Sequence, residues 1–142
     1  MHKPDNSPPF SVGKLQTALS PLFTSSEIKL IVLFGSYAKK TVHKKSDLDL
    51  AFLYDEVINI IDLTNEISQL LHTSNIDIID IRKAKPLLKH SIMKHGIIIY
   101  EREPGIFNET ASLAFRRYVD TGKLRVAQDR YIRNYIAEQE SR

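Results

Sequence analysis

The chain has 142 residues, 42% of them hydrophobic and 26% charged, which is the size and composition of one soluble globular domain with a real core. It contains no cysteine, and this excludes disulfides, thiolate zinc sites and cysteine nucleophiles. No apolar run approaches the roughly 18 residues of a membrane span. The net charge of +3 is small for a nucleic-acid binder. We therefore expect a cytoplasmic protein without membrane or direct nucleic-acid contacts.

Helical and strand patterns alternate from the start of the chain. Residues 1–10 contain three prolines and are expected to form a flexible N-terminus. Apolar residues at helical spacing predict a short helix within residues 11–25. A strand that is apolar on both faces follows and ends at Gly35, and a second strand of alternating character occupies residues 47–54.

The alternation continues through the middle of the chain. An amphipathic pattern predicts a helix over residues 56–72, and a β-rich run at 75–81 predicts a third strand. Pro86 suits the first turn of a further helix that ends near His95, and residues 97–101 form a last short strand.

From about Pro104 the rest of the chain is expected to be helical, with a pause at Thr121-Gly122. We interpret its two apolar stripes as core, with contact to a partner protein as the alternative. Residues 11–102 would form the main domain and residues 103–142 a helical extension of it. The order α-β-β-α-β-α-β-α predicts an α/β (α+β) domain with a small mixed β-sheet and flanking helices. The stripes comprise Phe107, Ala111, Phe115 and Tyr118, and then Leu124, Ala127, Tyr131 and Tyr135.

Two aspartates, Asp47 and Asp49, stand one residue apart in the second strand. Residues i and i+2 of a strand share a face and lie about 6.5 Å apart, so the two carboxylates repel each other and resist desolvation. A divalent cation relieves this repulsion, and carboxylate oxygens are the hard ligands that Mg²⁺ prefers. The pair therefore indicates a magnesium site with open positions for phosphate oxygens.

A Gly-Ser pair precedes the acids, with Gly35 at the end of a strand and Ser36 at the start of a turn or helix. Glycine lets a ligand approach the backbone, and the serine hydroxyl and free N–H groups attract phosphate oxygens. Each feature alone has a simpler explanation, because Gly-Ser marks many turns and acids often protect a strand edge. Together, ten residues apart, they form a GSX10DXD pattern.

With this pattern the chain resembles the minimal nucleotidyltransferases (MNT domains) of the DNA-polymerase-β-like superfamily. It looks most like the MNT antitoxins encoded beside HEPN-domain RNase toxins. The resemblance runs from about Ile28 to Arg102 and includes GSYAKK, SDLDL, NIDIIDIRKA and HGIIIYER. It implies a polymerase-β-like fold, ATP as substrate and Mg²⁺ as cofactor. It also implies that Gly35 and Ser36 hold the triphosphate and that Asp47, Asp49 and Asp77 are the catalytic, metal-binding residues.

The third acid and the basic loop are the two places where the residues leave alternatives open or depart from the family pattern. The family pattern favours Asp77, but side-chain alternation leaves Asp77 and Asp80 open because they lie on opposite faces of their strand. Asp80 is otherwise a strand-end acid, paired with Arg82. The family often has Arg-Gly where this chain has Lys39-Lys40, so the triphosphate contacts of that turn are expected to differ.

Three functions fit these features. By resemblance, the chain is an Mg-dependent nucleotidyltransferase that moves AMP from ATP to a tyrosine hydroxyl of a cognate HEPN toxin and thereby acts as its antitoxin. The short chain leaves no room for an acceptor-binding domain, which favours a partner protein as acceptor. The alternatives are a non-catalytic antitoxin that acts by occlusion and a small-molecule nucleotidyltransferase of the aminoglycoside-modifying type.

Overall fold

The computed structural model describes residues 10–38 and 47–141. The predictions for the first nine residues of the N-terminus and for the lysines of the loop after Ala38, including Lys39 and Lys40, lie outside the described residues. Within the described ranges, no helix is both long and apolar enough to cross a membrane.

The described chain contains the predicted alternation of helices and strands. Ser11 caps the first helix by accepting a hydrogen bond from the Lys14 N–H, at 3.2 Å, and Asn59 caps the second by accepting from the Asp62 N–H, at 3.1 Å. A 3₁₀ turn follows the first helix and another follows the third strand. The elements are α1 (Val12–Leu19), β1 (Ile28–Phe34), β2 (Leu48–Tyr54), α2 (Ile60–Leu71), β3 (Ile76–Asp80), α3 (Pro86–His95), β4 (Ile97–Glu101) and α4 (Ile106–Glu140).

The four strands form one mixed sheet in the order β3-β2-β1-β4. β1 pairs antiparallel with both β2 and β4, whereas β2 and β3 are parallel. The parallel pair is connected through α2, as a parallel crossover requires. The predicted fold class, a small mixed sheet with flanking helices, is confirmed.

Each face of the sheet is covered by two helices, which explains why β1 is apolar on both sides. On one face, α1 and α2 contribute Leu15, Leu19 and Ile67 to a core around Phe52. On the other face, α3 and the start of α4 contribute Ile92, Met93 and Ala114 to a second core around Leu30 and Val32.

A polar cluster closes the end of the sheet at which β1 begins and β2 ends. The carboxylate of Asp55, just after β2, accepts a hydrogen bond from the Arg102 guanidinium at 2.7 Å and lies 3.8 Å from Lys29 Nζ. The backbone N–H of Asp55 donates to Glu27 O and that of Arg102 donates to Lys29 O, both at 2.9 Å. This cluster joins the ends of β2 and β4 to the start of β1.

The C-terminal helix differs from the prediction in two ways. α4 is one continuous helix of 35 residues, about 52 Å long, so the predicted pause at Thr121-Gly122 is wrong. Arg125 bridges this point because its guanidinium lies 4.3 Å from the Tyr118 ring centre and donates to Thr121 Oγ1 at 2.7 Å. The interpretation of the second stripe as core is also wrong, since Tyr131 is 73% exposed.

Candidate active site

The topology brings the predicted site residues to one end of the sheet. Because β1 and β2 are antiparallel, the end of β1 at Gly35 meets the start of β2, where Asp47 and Asp49 lie. Because β2 and β3 are parallel, the start of β3, which carries Asp77, lies at the same end. Residues up to 42 positions apart in the chain thus lie at the same end of the sheet.

Gly35 is held against the Asp49 carboxylate. Its φ of +72° is in the left-handed region, which residues other than glycine rarely adopt. A Cβ atom built here would lie 3.1 Å from Cγ of Asp49 and would overlap its Oδ2. Both the backbone conformation and the space therefore require glycine, and the Gly35 backbone and the Asp49 carboxylate form one wall of the site.

The turn after β1 continues this wall. Residues 35–38 form a turn in which Ser36 is half-buried, and the residues that follow Ala38 lie outside the described residues. Tyr37 is buried, with its ring centre 6.2 Å from that of Phe10, and this burial raises the pKa of its hydroxyl. Tyr37 therefore anchors the turn to the core while Ser36 stays accessible.

Asp49 and Asp77 are direct partners in the parallel register of β2 and β3, so they lie side by side on one face of the sheet. Asp47 and Asp77 are exposed, and Asp49 is half-buried. Burial raises the pKa of the Asp49 carboxyl, and the negative charges of Asp77 and Asp47 raise it further. The three acids thus interact unfavourably, as predicted from the sequence for carboxylates that bind a cation.

Asp80 has a different environment. It pairs with Phe52 in the register, on the opposite face from Asp77, and only 7% of its surface is exposed. Its Oδ1 accepts a hydrogen bond from the Arg82 N–H at 3.0 Å, which caps the 3₁₀ turn after β3. The expected pairing with Arg82 is therefore a backbone contact, and Asp80 lies apart from the other acids.

The fit of a metal ion depends on these carboxylates. Within residues 10–38 and 47–141, no three His, Asp or Glu side chains are arranged closely enough to enclose a metal ion. Even so, the donor set near Asp49 consists of hard carboxylate oxygens, and the pKa of Asp49 is raised by its burial and then by the negative charges of Asp77 and Asp47. Such a set suits Mg²⁺, which is commonly bound through one or two carboxylates and completes its octahedron with water and phosphate oxygens.

One charged residue of note was not singled out by the sequence analysis. Lys89 is only 8% exposed, although lysine side chains are almost never fully buried. The sequence signal for this burial is its position in α3, because Lys89 lies three and four residues before the buried Ile92 and Met93 and so on the same side of the helix. A lysine at an apolar position of an amphipathic helix marks a buried cation.

The fold and this cluster of acids define a nucleotidyltransferase domain. The family model described as "Polymerase beta, Nucleotidyltransferase" matches residues 17–105, which include every residue of the candidate site. The chain therefore belongs to the polymerase β nucleotidyltransferase family.

The similar proteins include curated protein adenylyltransferases. The chain is 33% identical over 73 residues to protein adenylyltransferase MntA of Shewanella oneidensis, a match that covers 49% of this chain and 52% of that protein. The chain thus spans about half the length of this curated relative.

Two solved structures share the fold over most of the chain. One is a toxin–antitoxin crystal structure with AMP-PNP, with a TM-score of 0.71, 23% identity and coverage of 87% of this chain and 99% of that one. The other contains a tri-AMPylated Shewanella oneidensis HEPN toxin in complex with an MNT antitoxin, with a TM-score of 0.64 and 21% identity, covering 85% and 95% of the two chains. At these identities the likeness concerns the fold.

Proposed function

We propose that this protein is an Mg-dependent protein adenylyltransferase that transfers AMP from ATP to a tyrosine hydroxyl of a cognate HEPN toxin and so neutralises it. The observation that carries the proposal is the neighbourhood of Gly35, Asp49 and Asp77 at one end of the sheet. Membership of the nucleotidyltransferase family and similarity to a protein adenylyltransferase support it.

Gly35 and Ser36 bind the triphosphate in this proposal. The backbone at Gly35 has no side chain to keep a phosphate away, and the half-buried Ser36 hydroxyl in the following turn is a hydrogen-bond donor. Free N–H groups of such a turn attract phosphate oxygens. The triphosphate then lies next to Asp49, whose carboxylate packs against Gly35.

Asp47 and Asp49 are the proposed ligands of Mg²⁺, with Asp77 beside them. When bound, the ion would neutralise the phosphate oxygens and polarise the bond that breaks. The carboxylates themselves exclude a direct approach of the negatively charged triphosphate without a cation. They would therefore make nucleotide binding dependent on magnesium.

The chemistry is an in-line substitution at the α-phosphorus. The acceptor tyrosine oxygen forms a bond to the α-phosphorus while the bond from that phosphorus to the α–β bridging oxygen breaks, and pyrophosphate leaves. The tyrosine proton must be taken up, and Asp77 is the proposed acceptor because it is exposed and adjacent to Asp49. The products are an AMP–tyrosine ester and pyrophosphate.

The proposed acceptor belongs to another molecule. The described chain consists of one sheet with its four covering helices, so no further domain is present there to hold an acceptor. The last part of α4 instead presents apolar side chains with no partner in the described chain, among them Tyr131, Ile132 and Tyr135, each more than half exposed. We propose this surface as a contact for the toxin.

The test is the mass of the partner. Wild type and the Asp49→Asn and Asp77→Asn variants are each incubated with a candidate cognate HEPN-domain toxin, ATP and Mg²⁺. We expect AMP-sized mass steps on a tyrosine with wild type, and a rate at least about a hundred-fold lower with each variant, since they remove charge that acts in the transition state. Intact mass spectrometry measures the mass steps and their rate, and peptide mapping identifies the modified tyrosine.

Asp80→Asn is the matched control, because asparagine can still accept the Arg82 N–H hydrogen bond. It should keep full transfer activity. If Asp80→Asn loses activity and Asp77→Asn keeps it, the assignment of the third acid is wrong. If all variants neutralise the toxin as well as wild type does, the protein acts by occlusion; transfer to a small alcohol without partner would instead indicate the aminoglycoside-modifying type.

A further inference from the structure

A second charged site lies at the opposite end of the sheet from the acids. A cavity of about 200 Å³ opens between α3, α4 and the strand ends at Lys29 and Leu53. Leu53 is four residues from Asp49 along β2, which corresponds to about 13 Å. The cavity is therefore separate from the candidate active site. Its charged lining consists of Lys29, Arg82, Lys89, Arg117 and Glu109.

Four cations face one carboxylate in this cavity, and among the described residues two of them, Lys89 and Arg117, donate no side-chain hydrogen bond and form no ion pair. Lys29 lies 3.8 Å from the Asp55 carboxylate, and the Arg82 guanidinium donates to Asp55 O at 3.1 Å. Among the described residues, no carboxylate lies within 4.0 Å of Lys89 or Arg117. The positive charge of these two side chains is thus available to a ligand.

Lys89 is the unusual member of the set. With 8% of its surface exposed, it is more than nine-tenths buried, and such lysines are rare unless they are paired. Burial lowers the pKa of its ammonium group, Arg117 lowers it further, and Asp80 partly opposes them. A buried cation beside a second cation is unfavourable in the free protein, and an anion in the cavity would relieve both effects.

The volume limits what can bind. It is below the roughly 300–1,000 Å³ of pockets that enclose a drug-sized ligand, so a whole nucleotide does not fit inside. A phosphoryl group does, and arginine forks match its oxygens in bidentate geometry while lysine adds a point charge. The single carboxylate, Glu109, leaves a net positive lining for a dianion.

We propose that the cavity lined by Lys89 and Arg117 is a phosphate-binding site, distinct from the site that holds the nucleotide triphosphate. Its ligand is a phosphoryl dianion, either free or at the end of a larger molecule. Pyrophosphate, the by-product of the proposed reaction, and inorganic phosphate carry this chemistry free in solution. A nucleotide monophosphate presents it on a larger body that stays outside the cavity.

Calorimetric titration of the full chain tests the proposal at constant ionic strength and without added metal. Inorganic phosphate, pyrophosphate and AMP are the three probes. We expect wild type to bind at least one of them, and Lys89→Gln and Arg117→Gln to weaken that binding at least ten-fold. Preference for inorganic phosphate or pyrophosphate over AMP would identify a free anion as the ligand, and the reverse preference a phosphoryl group on a nucleotide.

Two controls separate this site from other sources of binding. Lys94→Gln removes an exposed lysine from the same helix outside the cavity and should bind as wild type does. Ser36→Ala alters the nucleotide site and should also leave phosphate binding intact, so the outcome is independent of the proposed catalysis. Arg117 is exposed, so its variant is expected to fold even if Lys89→Gln does not.

Equal affinity of wild type, Lys89→Gln and Arg117→Gln for all three probes would overturn the proposal, as would the absence of binding to wild type. Loss of binding in Ser36→Ala but not in the cavity variants would place the phosphate at the nucleotide site and also refute it.

Discussion

Gly35 shows how a single residue links backbone conformation to the candidate chemistry. Its positive φ allows the chain to turn sharply at the end of β1, and its missing side chain allows the Asp49 carboxylate to pack against the backbone. An L-residue would face a conformational penalty of roughly 1–2 kcal/mol in this region. It would also displace the carboxylate, so stability and activity would both suffer.

We predict that Gly35→Ala lowers the free energy of unfolding by about 1–2 kcal/mol and lowers the rate of AMP transfer by a larger factor, because Asp49 must move. Urea unfolding and the mass assay measure the two effects. Gly13→Ala is the control, since a Cβ at Gly13 contacts nothing within 4 Å and the residue lies in α1. That variant should be slightly more stable and fully active. Unchanged activity in Gly35→Ala would show that the position of Asp49 does not matter.

The choice between Asp77 and Asp80 shows where sequence information ended. The alternation of side chains put the two acids on opposite faces, but it did not say which face Asp49 shares. That depends on the parallel register between β2 and β3, a contact between segments 28 residues apart, which pairs Asp49 with Asp77. Strand pairing is a tertiary property, and local patterns do not encode it.

At the scale of elements, strands and helices were well predicted because their apolar periodicities are strong. All eight helices and strands appear in the expected order, with ends within a few residues of the predicted ones except at the start of α2. There, Val57 fits the helical pattern but lies before the N-cap Asn59 and is 82% exposed. The capping side chain, rather than the apolar pattern, fixes where α2 begins.

The polar cluster around Asp55 carries a prediction about pH. A hydrogen bond from the Arg102 guanidinium, with its positive charge, lowers the pKa of Asp55 in the folded protein. A carboxyl with a lowered folded pKa stabilises the fold above its unfolded pKa of about 3.9 and loses this contribution as the pH falls through the folded value. We therefore expect Asp55→Asn to unfold more easily than wild type at pH 7, with the difference shrinking below about pH 4.

Urea unfolding at pH 7 and pH 3 measures this difference, and added salt should reduce it because the pair is exposed. Asp129→Asn breaks the exposed pair with Arg133 on α4, 3.1 Å apart, and should not change global stability at either pH. A deficit of Asp55→Asn that is the same at both pH values would mean that packing, not charge, is responsible.

The continuity of α4 past Gly122 is a second element-level point. Glycine in a helix interior costs about 1 kcal/mol relative to alanine, which favoured a break in the sequence analysis. The contacts of Arg125 with Tyr118 and Thr121 span the glycine and oppose that cost. Local propensity was thus overridden by side-chain contacts one turn away.

We predict that Gly122→Ala stabilises this stretch of α4 by about 0.5–1 kcal/mol. A Cβ here meets only Arg125 Nη2, at 3.5 Å, which is an ordinary contact. Hydrogen exchange of the amides around residue 122 should slow several-fold, with no change in residues of β1, which serve as the internal reference. Faster exchange in the variant would indicate that the chain does break at Gly122.

At the scale of the whole molecule, the residues that form the cores and the exposed apolar residues lie in different parts of the chain. The sheet, helices α1 to α3 and the first turns of α4 contain both apolar cores, whereas every described residue from 126 onward is exposed. Helical spacing predicted the apolar stripe on this part of α4, but spacing cannot tell whether a stripe meets a partner within the same chain. Stability and partner binding should therefore be separable.

We predict that a chain ending at Arg125 keeps the melting temperature of the full protein within about 2 °C, because the deleted segment buries nothing. A loss of about 1 kcal/mol in the free energy of unfolding would be needed to lower the melting temperature by roughly 2–8 °C. The same deletion should abolish complex formation with the proposed HEPN partner in size-exclusion chromatography. Tyr131→Ala should weaken the complex, whereas Arg133→Ala, on the opposite side of the helix, should not. If the truncated chain still binds the partner, the interface lies on the sheet domain instead. If the truncated chain unfolds, the last part of α4 supports the fold through contacts that its exposure does not reveal.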